Sequence, residues 1–196
     1  MSGYTMTQPE LYYSEAIAGT ALATFTTEAS LMGLYPIPPI PATFFTKTGQ
    51  QSSSMKIRAY GNMGDTTSAP TFTWTVRLLT SATTFATSGI SWATAATTMT
   101  GTSITNAWWQ LDMDVWLQSI AAGAATSSLA GMGVVSGSQL SVPAMLPATN
   151  VTNVANSATF DNTGATLYYL WLGAACGTSN AANKIQLQGL KIYLEN

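Results

Sequence analysis

Asp112 and Asp114 stand two residues apart and form the one close carboxylate pair in a chain with only eight acidic and six basic side chains. On a strand that spacing puts both on one face, where they could begin a calcium site or share acid–base work. A glycoside-cleaving mechanism needs carboxylates that converge from opposite sides of a bond, which neighbours on one face do not do. A solvated sheet face is the reading preferred for the pair. Histidine is absent, which removes Ser-His-Asp and Cys-His arrangements, the common zinc sites and the usual general base near neutral pH. Cys176 is the only cysteine, so neither an intrachain disulfide nor a cysteine-based metal site can form, and a small buried apolar side chain is expected there. Gly131-Met132-Gly133 lacks the third glycine and the following helix of a dinucleotide loop. Asp65 and Asp161 fall in Gly/Asn-rich turns, where aspartate bonds its own backbone. The chain therefore reads as a non-enzyme, with no catalytic residue, metal ligand or cofactor site.

Charge is the most unusual property. Charged residues make up 7% of the 196 positions, against about 25% in ordinary soluble domains, and the formal net charge is −2. The basic residues Lys47, Lys56, Arg58, Arg77, Lys184 and Lys191 are too scattered for a phosphate-binding stripe, so nucleic acid is not an expected partner. No run approaches the roughly 20 apolar residues of a membrane span, and the amino terminus shows no secretory signal, so use without export is expected. Asn150-Val151-Thr152 fits the glycosylation tripeptide, without an export signal to give it meaning. With 46% apolar residues and six tryptophans the chain is not disordered. A packed, neutral-surfaced building block follows, coated with Thr, Ser, Asn and Gln or partly hidden in an assembly.

Period-two alternation supplies the elements that would position any site. Residues 1–15 have no sustained period and are read as an N-terminal arm, with residues 16–196 forming a single domain. Pro36, Pro38, Pro39 and Pro41 exclude a central strand and call for an extended segment on an edge or across one end of a sheet. Ser54 to Tyr60 points Met55, Ile57 and Ala59 inward and Lys56, Arg58 and Tyr60 outward. Thr71 to Leu79 puts Phe72, Trp74, Val76 and Leu78 on one face and Thr71, Thr73, Thr75 and Arg77 on the other, the pattern of a sheet with one wet side. Ala107 to Ile120 repeats it with Trp109, Leu111, Met113, Val115 and Leu117. Ser127 to Ser136 adds a strand whose glycines permit close approach, and residues 137–164 read as a long loop with Phe160 as its anchor. Thr166 to Leu194 reads as a hairpin turning through Gly177-Thr178-Ser179-Asn180 at the centre of a sheet. Its apolar phase slips by one at Gly189, which predicts a β-bulge there.

Many short strands, with no amphipathic helix, predict an all-β fold: a two-sheet antiparallel jelly-roll-like sandwich with an extended N-terminal arm. Interaction residues are sought among aromatics outside its core: Tyr4, Tyr12 and Tyr13 in the arm, and Tyr60, Trp108 and Trp116 on outward strand positions. Tryptophan and tyrosine anchor protein interfaces, and they also stack on sugar rings; a glycan is the alternative partner.

Several stretches together resemble small jelly-roll structural proteins of tailed-bacteriophage virions. They are Glu15-Ala-Ile-Ala-Gly-Thr-Ala-Leu-Ala, Met55-Lys-Ile-Arg-Ala-Tyr-Gly, Thr71-Phe-Thr-Trp-Thr-Val-Arg-Leu-Leu, Trp109-Gln-Leu-Asp-Met-Asp-Val, the Leu129 to Val135 strand and Asn180-Ala-Ala-Asn-Lys-Ile-Gln-Leu-Gln. These are patterns of strand and turn, not catalytic signatures. The resemblance implies a capsid decoration protein, a homotrimer made in the host cytoplasm and seated on the major capsid protein at the virion surface. The alternative is a tail-associated or surface carbohydrate-binding module.

Overall fold

The computed structural model describes residues 10–15, 19, 21–32, 37–41, 44–45, 53–66, 69–119, 127–146, 161 and 166–195. Tyr4, Phe160 and the Asn150-Val151-Thr152 tripeptide lie outside them. Thirteen strands run through the described residues: β1 Glu10–Glu15, β2 Leu22–Ala23, β3 Ala29–Ser30, β4 Ile40–Pro41, β5 Ser54–Gly64, β6 Thr71–Leu79, β7 Ile90–Ala93, β8 Thr97–Thr98, β9 Ala107–Ser119, β10 Ser128–Gly137, β11 Ala144–Leu146, β12 Leu167–Cys176 and β13 Lys184–Glu195. All pairings are antiparallel.

Sheet A runs β1-β13-β5-β9-β10-β11, with β2 following β1 along β13; sheet B runs β3-β12-β6-β7, with β4 following β3 along β12 and β8 following β7 along β6. Taking each pair of half-strands as one, the order is the eight-strand jelly roll, extended past β9 by β10 and β11. The fold is an all-β sandwich of two packed antiparallel sheets. Three of its strands are broken in two, and the Pro-rich segment accounts for one break: Pro41 pairs with Leu167 at the edge of sheet B, where a missing N–H can face away from the ladder.

The inward sets match their alternation. Met55, Ile57, Ala59, Trp109, Leu111 and Val115 from sheet A meet Phe72, Trp74, Val76, Leu78, Leu170 and Leu172 from sheet B, all essentially inaccessible. A line of rings crosses the sandwich, with centroids 6.4 Å apart for Phe25–Phe72, 5.9 Å for Phe72–Trp74 and 6.1 Å for Trp74–Trp109. Such pairs each add about 0.5–1.5 kcal/mol beyond the area they bury. Gly131 faces this core from β10: a Cβ there would lie 2.5 Å from Met113 Cε and 2.9 Å from the buried Trp92 ring. Gly131→Val is therefore expected to lower unfolding free energy by about 1–3 kcal/mol in a urea titration, while Met132→Val on the opposite face leaves it within about 0.5 kcal/mol.

The bulge stands where the phase slip put it, since the β13–β5 register passes from Leu187↔Gly61 to Gly189↔Tyr60 and leaves Gln188 unpaired in register. A side chain at 189 would collide with the Tyr60 ring, so glycine both admits the bulge and seats that ring.

Four expectations are corrected. β12 and β13 are not a hairpin: β12 lies in sheet B and β13 in sheet A, because the turn after Cys176 crosses between layers. Asn183 ties that turn, its N–H bonding the Asn180 carbonyl at 3.1 Å and its side-chain amide the Thr178 carbonyl at 3.0 Å. The second face of β6 is not wet, since Thr75 and Arg77 are buried. Segment 80–89 folds over that face, with Phe85 edge-on to Trp171 at 5.8 Å and the Trp171 indole donating to the Ser81 carbonyl at 3.0 Å. Within the expected arm, residues 10–15 form edge strand β1, where Tyr13 pairs in register with Ile192 and the Tyr12 hydroxyl donates to the Pro39 carbonyl at 2.6 Å. Finally, the long loop after Gly137 contains β11, which pairs with β10 through Val134↔Met145.

Candidate interaction face

The outer face of sheet A brings together Tyr60, Trp108 and Trp116 with Asp112 and Asp114. Register fixes its rows. Leu11, Tyr193, Lys56, Asp114 and Met132 lie side by side; the next row is Ser14, Lys191, Arg58, Asp112, Val134 and Met145; then Gly189, Tyr60, Gln110 and Ser136; then Gln186, Asn62 and Trp108. At the other end Glu195, Ser54, Trp116 and Ala130 share a row.

Down the middle runs an ion-pair ladder. Arg58 Nε lies 2.9 Å from Asp112 Oδ1, and Lys56 Nζ lies 3.9 Å from Asp114 and 3.4 Å from Glu195. Gln110 donates to Asp112 Oδ2, and the Ser54 hydroxyl donates to Glu195 at 3.0 Å. The carboxylate pair is thus committed to cations on the neighbouring strand, in solvent, where each pair contributes about 0–1 kcal/mol. Apolar side chains surround the ladder: Trp108 is 51% exposed, Met132 59%, Met145 54% and Tyr60 41%.

Of the six aromatics, Tyr60 and Trp108 are exposed on this face and Trp116 is half-buried on it. Tyr12 and Tyr13 are partly buried against the core and hold β1 to the sandwich. Met132 and Met145 were not singled out. Alternation places Met132 outward opposite Val135, so its signal was present, whereas Met145 falls in the stretch read as loop.

Elsewhere the chemistry is structural. Asp65 bonds a distant backbone, not its own: its Oδ1 accepts from the Ile104 N–H at 2.7 Å while its own N–H donates to the Ile104 carbonyl at 2.8 Å. Asp161 accepts from the Thr166 hydroxyl, and its N–H donates to the Tyr168 hydroxyl at 2.8 Å. Among the described residues no three His, Cys, Asp or Glu side chains converge, and no helix is long and apolar enough to cross a membrane. A concavity of about 200 Å³ beside Leu79, Ser81, Ser88 and Tyr168 has only uncharged lining.

Burial pushes the Tyr12 phenol above its ordinary value. Tyr168 is raised by burial, against the lowering effect of the Asp161 backbone bond, with the Asp161 charge adding to the rise. Cys176 is raised by burial too, partly offset by hydrogen bonds with the Thr178 backbone and the Asn183 amide. In each case the fold favours the protonated form, so as pH rises the unfolded chain releases these protons first. Stability is fully present below the unfolded values and is lost as pH climbs through the folded ones. The thermal midpoint should be level between about pH 6 and 8, with no histidine to titrate, and fall above about pH 9.

Fold and face together define a jelly-roll sandwich whose broad sheet carries an apolar surface threaded by a charge ladder. No protein-family model matches the chain, and no curated protein matches it in sequence.

Proposed function

We propose that the chain is a structural protein of a tailed-bacteriophage virion: a capsid decoration protein that gathers as a homotrimer on the major capsid protein shell and stabilises the head. The observation that carries the reading is the outer face of sheet A, where exposed Trp108, Tyr60, Met132 and Met145 flank ions that already neutralise one another. Such a face offers flat contact area, the property of a building block. Three copies pack side by side, and the amino-terminal segment before β1 reaches the shell beneath.

Low-resolution imaging of particles made with and without the protein tests this. External density at three-fold positions that disappears with the protein is the expected result; particles unchanged by its absence overturn the proposal. Because β1 belongs to the sheet, the segment to delete is residues 1–9, and the shortened protein should keep its melting point but no longer sediment with heads.

A further inference from the structure

We propose that the outer face of sheet A docks on the same face of a second copy of this chain, about a two-fold axis lying between β5 and β9 and parallel to them. This rests on reading the face as a contact surface but not on the virion assignment.

The argument is charge register. Seven of the chain's fourteen charged residues project from this one face, Lys56, Arg58, Lys184 and Lys191 against Asp112, Asp114 and Glu195. On the two strands beside the axis they are sorted by sign, Lys56 and Arg58 on β5 against Asp112 and Asp114 on β9, while β13 carries Lys191 and, at its end, Glu195. Arg58 and Asp112 share one row, Lys56 and Asp114 the next. A two-fold axis along the strands between β5 and β9 keeps every row on itself and exchanges the two strands. Arg58 then stands over Asp112 of the second copy, and Lys56 over Asp114. The same operation exchanges β13 with β10, so Met132 meets Tyr193 of the second copy, a thioether against an aromatic ring. An axis across the strands would instead lay β5 on β5 and Arg58 on Arg58.

The four ions beside the axis, Lys56, Arg58, Asp112 and Asp114, each keep their partner within the chain and gain one across the interface. Lys191, one strand further out, comes over Val134 of the second copy, beside the Asp112 that stands over Arg58. Two sheets packed face to face align to within about 30°, which makes the match closest at the axis, where Arg58 and Asp112 stand. The face has four strands of 10–13 residues, flanked by β1 with 6 and β11 with 3. At about 4.8 Å between strands and about 3.4 Å per residue these present roughly 900 Å² per copy, close to the area one partner contributes to a stable interface.

The test uses two full-length variants, Arg58→Glu and Asp112→Lys, with molecular mass read by light scattering at micromolar concentration. The wild-type mass should be an even number of chains: two, or six where side-by-side trimers also form. Each variant alone puts like charges across the axis and should have half that mass, with an unchanged circular dichroism spectrum. An equimolar mixture should regain the wild-type mass, because the introduced glutamate then faces the introduced lysine while Asp112 of one variant faces Arg58 of the other. Damage within one chain would not be repaired by mixing. An odd wild-type mass, variants that keep the full mass, or a mixture that fails to recover it each overturn the proposal. Loss of head binding in the imaging experiment would leave this result untouched, so the two failures are distinguishable.

Discussion

Glu28→Ala should lower the thermal midpoint by roughly 10 °C, the largest effect expected from any single charged residue here. Glu28 precedes β3 and reaches across the outside of sheet B to Arg77 on β6, making a two-pronged contact: Nε to Oε1 at 2.7 Å and Nη2 to Oε2 at 2.6 Å. The side chains are 8% and 16% exposed, unlike the ladder ions on sheet A. Arg77 also donates to the Ser88 carbonyl at 3.5 Å, drawing in segment 80–89 that covers the pair. Removing the carboxylate strands a guanidinium in that covered site, which costs about 3–5 kcal/mol, whereas removing both partners costs far less. Differential scanning of Glu28→Ala beside the double variant Glu28→Ala/Arg77→Met checks this: the double variant should melt above the single one. Equal melting of Glu28→Ala and wild type would mean that the pair is solvated.

Trp74→Ala should cost about 3–5 kcal/mol in a chemical denaturation experiment, by opening a cavity where β6 and β9 face each other. Trp74 is 1% exposed and stacks between Phe72 and Trp109. The two tryptophans differ in their polar ends. Trp109 donates its indole N–H to the Asn62 carbonyl at 3.3 Å, while the Trp74 indole N–H meets no acceptor among the described residues. Phenylalanine at 74 therefore removes an unsatisfied donor along with some volume, but at 109 it leaves the Asn62 carbonyl without its indole donor. Trp74→Phe should be the milder change, and the reverse ranking would contradict these assignments.

Alternation was enough to find the long strands. β5, β9 and β13 alternate buried and less buried residues as the pattern required, β6 and β12 bury both faces over most of their length, and the interrupted phase at Gly189 located the bulge from identity alone. Partnership was not legible. Leu167 to Leu172 is apolar on both faces whether its neighbour is β13 or β6, so a short turn suggested a hairpin where the chain changes sheets. The covered side of β6 was also hidden: Thr75 and Arg77 are polar, and the buried charge of Arg77 is met by a carboxylate 49 positions away. On the interaction face, Tyr60 and Trp108 followed from alternation, as did the shared side of Asp112 and Asp114. Their pairing with Arg58 and Lys56 needed the β5–β9 register, which no local pattern contains.

The placement of β12 and β13 sets the order of events during synthesis. Each is an inner strand of its sheet, β13 between β1 and β5 and β12 between β3 and β6, yet both come after every other strand along the chain. A nascent polypeptide leaving the ribosome would hold β3 and β4 apart from the rest of sheet B until residue 176 emerged, and β1 and β2 apart from the rest of sheet A until residue 195 emerged.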